Sequence, residues 1–180
     1  MPALVVSAIG RDRPGIVAGI TGVLVDHGAN LADSQMGILS GRFTMMLIVD
    51  APEGIDVDAL SADLERAAEH LGLDAILIHD VAETVQAPAP EPSLMVTLYG
   101  ADHPGIVHAV AQALADTAVN ITDLNTRLIH DPGEQPLYAM MLEVAPPPGV
   151  GRDELEDRLR QVAGEQDLEV SVRELDTETL

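Results

Sequence analysis

Leu4-Val5-Val6-Ser7-Ala8-Ile9-Gly10-Arg11-Asp12-Arg13-Pro14-Gly15-Ile16-Val17 returns ninety residues later as Leu94-Met95-Val96-Thr97-Leu98-Tyr99-Gly100-Ala101-Asp102-His103-Pro104-Gly105-Ile106-Val107. The same offset pairs Leu24 with Leu114, Asp26 with Asp116, Asn30 with Asn120 and Asp33 with Asp123, with no gap. A module written twice can be read twice. What both copies keep is demanded by the module, and what one copy keeps alone is a candidate for its own task. The 180 residues therefore read as two units of about 80 to 90 residues each. The first is expected at 1–81 and the second at 94–180. Between them, 82–93 reads as a Pro/Ala-rich linker whose alternating Pro88, Pro90 and Pro92 make a semi-rigid spacer.

Working outward from the repeat, residues 4–9 form a strand-like apolar run that stops at Gly10. Asp12 to Pro14 reads as a helix start, with proline in the first turn and a polar residue before it as cap. Ile16, Val17, Ile20, Val23 and Leu24 then recur at helical spacing, as do Ile106, Val107, Val110, Ala113 and Leu114. Gly28 marks the end of the first of these helices. Asn30 to Leu39 and 42–49 read as strands joined tightly at Ser40-Gly41, and 120–129 and 137–144 are their counterparts, with a longer connection at 130–136. A second helix starts at Asp56, with Val57, Leu60, Leu64, Ala67 and Leu71 on one stripe and Gly72 beyond it. Leu155, Leu159 and Val162 mark its partner. Strands at 75–81 and 168–175 close the units. The order is βαββαβ twice, an α+β class in which each four-stranded antiparallel sheet carries two helices on one face. The first and third strands are apolar on both faces, where a singly covered sheet would alternate. The open face is therefore expected to be covered by the other unit or a second chain, and a homodimer is expected.

Composition narrows the function. Nine arginines and no lysine face thirty acidic residues, for a net charge of −21. Direct binding to nucleic acid needs clustered cations, and an anionic membrane surface would repel this chain. No apolar run approaches the roughly 18 residues of a span. With no basic, apolar export segment at its start, the chain is expected to be cytoplasmic. There is no cysteine, so disulfides and thiolate metal sites are excluded. His103 and His108 sit five apart across a helix start and do not share a face, so neither metal nor cofactor is expected. No nucleophile recurs in both copies, and no enzymatic activity is expected. The βαββαβ order also suits RNA-binding modules, but these stack bases on several sheet aromatics. One Phe, two Tyr and no Trp cannot supply them.

The chemistry that recurs is Gly-x-Asp-x-Pro-Gly-Ile-Val at 10–17 and 100–107. Gly10 and Gly100 permit a sharp turn or the close approach of a ligand to the backbone. The helix behind presents unpaired N–H groups and the positive end of its dipole, a seat for a carboxylate. Asp12 or Asp102 could accept hydrogen bonds from an ammonium group, and Asn30 or Asn120 offers an amide that donates and accepts. An amino acid carries both complementary groups. An ordinary structural reading stands beside this one, in which Asp caps, Gly turns the chain, and Asn tolerates the bend before the strand.

The loop, the asparagine after the first helix and the element order resemble ACT domains, small-molecule sensing modules that typically bind amino acids. The tandem pair is similar to the glycine cleavage system transcriptional repressor family. The matches are Asp12-Arg13-Pro14-Gly15-Ile16-Val17, Asp33-Ser34 within the stretch from Asn30, and Gly41-Arg42-Phe43-Thr44. Similar loops occur in regulatory domains fused to phosphoserine phosphatases and formyltetrahydrofolate deformylases, whose catalytic domains this chain is expected to lack. The resemblance implies tandem ferredoxin-like βαββαβ domains and ligand binding where the first loop of one domain meets the second strand of its neighbour. Carried over by position, it nominates Gly10, Asp12, Gly15, Ile16, Asn30 and Leu31, then Gly100, Asp102, Gly105, Ile106, Asn120 and Ile121. Arg13, Arg11 and Ala18 are matched by His103, Ala101 and His108, so the two sites need not bind alike. The resemblance implies a regulator that binds a small-molecule amino acid and acts through a protein partner, a DNA-binding transcriptional activator or a metabolic enzyme. An oligomerising interaction protein and a detachable regulatory subunit of an amino-acid-metabolising enzyme are the alternatives.

Overall fold

The computed structural model describes residues 3–80, 90–129 and 136–175. Its contacts gather into two units, Met1–Ala87 and Pro88–Leu180. Most of the 82–93 linker and of the 130–136 connection, and the last residue of each closing strand except Leu175, lie outside the described residues. In the first unit, β1 (Ala3–Arg11), α1 (Ile16–Asp26), β2 (Asn30–Leu39), β3 (Arg42–Asp50), α2 (Val57–Leu71) and β4 (Leu73–Asp80) follow in turn. The second repeats them as β5 (Leu94–Ala101), α3 (Ile106–Ala115), β6 (Asn120–Ile129), β7 (Leu137–Ala145), α4 (Arg152–Glu165) and β8 (Leu168–Glu174). The antiparallel sheets run β2-β3-β1-β4 and β6-β7-β5-β8. The expected α+β class and βαββαβ architecture are the ones observed. No helix among the described residues is long and apolar enough to cross a membrane.

Strand alternation decides where each core lies. Leu4, Val6 and Ala8 of β1 and Phe43, Met45, Leu47 and Val49 of β3 are buried against Ile16, Ile20 and Leu24 of α1 and Leu60 and Leu64 of α2. One sheet face thus meets both helices. The second unit builds the same core from Leu94, Val96, Leu98, Met140, Leu142, Val144, Ile106, Val110, Leu114, Leu155 and Leu159. On the second-helix stripe, Ala68 and Ala163 are fully buried, one residue beyond the expected Ala67 and Val162. The opposite face keeps apolar groups at the surface: Met46 is 53% exposed and Leu77 is 56% exposed.

The first helices start later than the sequence suggests. Gly15, at φ 96°, is the N-cap of α1, and no side chain caps it. Asp12 and Pro14 precede the helix and form no part of its first turn, which corrects the expected Asp–Pro start. Proline at 14 fixes the chain direction before the glycine reversal, so the turn sits between the two. At the far end, Gly28 donates to the Val25 carbonyl and Ala29 to Leu24, both at 2.9 Å. With Gly28 at φ 69° this is a Schellman motif. The second unit makes the same pair of bonds, Ala118 to Ala115 and Val119 to Leu114, with an alanine at φ 54° where the first has glycine. A left-handed alanine carries a Cβ penalty that glycine lacks. Ala118→Gly is therefore expected to stabilise the second unit by about 0.5–1 kcal/mol after the cost of a looser unfolded chain. Chemical denaturation should show a higher midpoint at unchanged slope.

Ser40 (φ 50°) and Gly41 (φ 75°) both occupy the left-handed region between paired Leu39 and Arg42. These are the angles of a two-residue type I′ hairpin, whose twist matches that of the strands. The hairpin tip folds back on the repeat loop, where the Asp12 N–H donates to the Gly41 carbonyl at 3.0 Å. Arg42 forms an ion pair with Asp74, the extra residue of a β-bulge opposite Ile9 and Gly10.

Candidate functional site

Both copies of the loop deliver the same arrangement. Gly15 and Gly105 take φ values of 96° and 102°, and nothing lies within 4 Å of where their Cβ atoms would be. Backbone conformation, not crowding, requires glycine here. Neither α1 nor α3 has a side-chain cap or an acidic residue in its first turn. The second helices differ. Asp56 caps α2 and Asp58 follows it, while Asp153 and Glu154 open α4. Negative charge thus complements the positive dipole ends of α2 and α4, and the first turns of α1 and α3 carry none. Asp12 and Asp102 stand exposed on the loops in front of them, and Ile16 and Ile106 anchor the first turns in the cores.

Gly10 and Gly100 have a different explanation from the one that a ligand would give. A Cβ on Gly10 would lie 2.8 Å from the Leu73 Cα and 3.3 Å from the Asp74 nitrogen. On Gly100 it would lie 2.6 Å from the Asp167 carbonyl oxygen and 3.2 Å from the Leu168 Cα. The close approach is made by the chain's own fourth strand. Across each glycine stands an aromatic residue, Phe43 opposite Gly10 and Tyr138 opposite Gly100, an arrangement that covers the bare backbone of a strand glycine.

The asparagines stand elsewhere. Asn30 pairs with Asp50, which pairs with Ala3 at the start of β1, whereas Arg11 at its end pairs with Arg42. The nine-residue β1 separates these poles by about 25–30 Å at about 3.3 Å per residue. Gly10, Asp12, Gly15 and Ile16 gather at one pole, and Asn30 and Leu31 at the other. The second unit divides Gly100, Asp102, Gly105 and Ile106 from Asn120 and Ile121 in the same way. No unit brings its own nominated residues into one site.

Two features escaped the sequence reading. Register shifts lie between Leu31 and Asp33 and between Ile121 and Asp123, leaving Ala32 and Thr122 as bulges on edge strands. Only the pairing with β3 and β7 reveals them. The other is a tether. Arg13 Nη2 donates to the His70 carbonyl at 2.9 Å, in the last turn of α2. His103, its counterpart, donates from Nε2 to the carbonyl of Gln166, the C-cap of α4, also at 2.9 Å. These residues face the second helix of their own unit, where cations suit the negative dipole end.

Comparison with known proteins agrees with this architecture. A UPF0237 protein of Methanopyrus kandleri is 44% identical over 81 residues, covering 44% of this chain and 90% of the relative. The phosphoserine phosphatase SerB2 of Mycobacterium tuberculosis is 31% identical over 183 residues, covering 97% of this chain but 42% of the phosphatase. The solved structure of an unknown protein from Galdieria sulphuraria superposes with a TM-score of 0.81 at 28% identity, covering 97% of this chain and 98% of that one. A "putative glycine cleavage system transcriptional repressor" superposes with a TM-score of 0.70 at 16% identity, covering 97% of each, a likeness of fold. The ACT domain model matches residues 3–77 and again 93–173, and the chain belongs to the ACT domain family.

Proposed function

We propose that this protein is a non-enzymatic regulator that binds a small amino-acid-like ligand through its repeat loops and acts through a protein partner. The observation that carries the reading is the pair of first helices without side-chain caps or acidic first turns, each behind an exposed aspartate. A carboxylate fits the free amides and the dipole end, and an ammonium group fits Asp12 or Asp102. Because the asparagines lie at the far pole of each unit, the loop on this reading is completed by Asn30-Leu31 or Asn120-Ile121 of a second copy of the chain. Such a ligand favours whichever arrangement completes the site, and this differential affinity is the signal. The fold shared with the repressor-named structure supports a role in transcriptional control of glycine or one-carbon metabolism. A net charge of −21 suits contact with a DNA-binding activator better than with DNA.

A thermal-shift screen of the twenty amino acids tests this. Ligand at about a hundred times its dissociation constant adds about 2.7 kcal/mol, a rise on the order of 5–10 °C. The rise should vanish in Asp12→Ala or Asn30→Ala. A flat screen of the well-folded protein would overturn the sensor reading in favour of an oligomerising module. The whole-chain match to part of a phosphatase favours a second reading, the regulatory portion of an amino-acid-metabolising enzyme, which predicts stoichiometric co-purification with that enzyme.

A further inference from the structure

The two repeat loops are held by the same tether built from different chemistry. In the first unit Arg13 reaches from the loop to the last turn of α2, bonding the His70 carbonyl at 2.9 Å. In the second, the His103 imidazole lies between two carbonyls, with Nε2 2.9 Å from Gln166 O and Nδ1 3.2 Å from Pro104 O. A carbonyl only accepts. Neutral imidazole has one N–H and satisfies one of them, whereas imidazolium donates to both. The charged groups that face the ring are Asp102 on its own loop and Asp167 in the turn between α4 and β8, and both favour the cation. The ring thus bonds the loop carbonyl and the helix-end carbonyl at once only when protonated. Arginine keeps its charge at any pH a cell reaches.

We propose that Arg13 and His103 are positioning residues that clamp the ligand loops to the second helices, and that the clamp in the second unit alone is weakened by loss of a proton. The proposal rests on the reading of these loops as ligand sites. It makes the two halves of the chain unequal sensors. The first loop is held at all pH, and the second is held below the titration of His103 and loosened above it. The Gln166 and Pro104 carbonyls, in that order, raise His103 above the ordinary histidine value of about 6.5, helped by Asp102 and Asp167. A raised folded value means that protonation stabilises the clamped form. That stabilisation is complete below about 6.5 and is lost as pH rises through the raised value.

Matched reporters exist for both loops. The Ala109 amide bonds the Gly105 carbonyl at 2.9 Å, and the Gly19 amide bonds the Gly15 carbonyl at 2.9 Å. Hydrogen exchange of the intact protein between pH 5.5 and 8.5, expressed as protection relative to intrinsic rates, compares them directly. Protection at Ala109 should fall about fivefold or more across the titration of His103, while Gly19 stays constant. His103→Arg should hold Ala109 at its low-pH protection throughout. His103→Gln, whose amide nitrogen stays neutral at every pH, should give lower protection without pH dependence. A flat wild-type profile, or a fall that persists in His103→Arg, overturns the clamp. The measurement uses no ligand, so a flat thermal-shift screen with intact pH-dependent protection would sink the sensor reading and leave the clamp standing.

Discussion

Gly100→Ala lowers the melting temperature of the second unit by roughly 10–20 °C, the expected result of about 2–3 kcal/mol of overpacking. The added methyl would stand 2.6 Å from the Asp167 carbonyl oxygen and 3.2 Å from the Leu168 Cα, both backbone atoms of the turn into β8. That turn has little freedom, since Asp167 already sits at φ 51°. β5 and β8 pair residue for residue through this point with no shift in register. Gly10→Ala meets Leu73 at 2.8 Å beside a bulge that can give, so its loss is expected to be smaller. Calorimetry of the two variants reads both effects. A drop of less than about 2 °C for Gly100→Ala would mean that the strand approach adjusts freely and that some other demand keeps glycine in the repeat.

Phe43→Ala is expected to cost about 3–5 kcal/mol, the range for removing a buried phenylalanine. Phe43 is the chain's one phenylalanine, 2% exposed, and it covers Gly10 from across the strand pair. Its loss opens a cavity in the first unit's core and bares the glycine backbone together. The consequence reaches the loop, because the hairpin that Phe43 anchors supplies the Gly41 carbonyl to Asp12. Urea unfolding should show the loss, and exchange of the Asp12 amide should quicken locally. Tyr138→Ala should cost less. Tyr138 is only partly buried, though burial is enough to push its hydroxyl pKa up. A Phe43→Ala cost under about 1 kcal/mol would contradict the packing described.

The architecture was legible because a ninety-residue repeat turned each ambiguous pattern into two samples. Continuous apolar runs gave β1 and β5, and the Ser40-Gly41 pair gave the hairpin. What escaped lies where one residue breaks a period. Across the bulge at Ala32, side-chain alternation shifts by one, so Asn30 and Asp33 face the same way despite their odd spacing. No local pattern announces that, and only pairing with β3 reveals it. Gly10 and Gly100 stood out, but a glycine needed by a ligand and one needed by a neighbouring strand look alike until the fourth strand is in place. Arg13 and His103 registered as a difference beside the loop. Their common work, reaching the second helix 57 and 63 residues on, is a tertiary fact.

The placement of loop and asparagine at opposite poles has a consequence for each unit taken by itself. A free amino acid is far shorter than the separation of about 25–30 Å, so no one small molecule touches both poles of a unit. Asp12→Ala and Asn30→Ala therefore stand too far apart to share a partner within the first unit, and their effects on its stability should add. A sum that departs by more than about 0.5 kcal/mol would mean that the two poles are coupled through the strands between them.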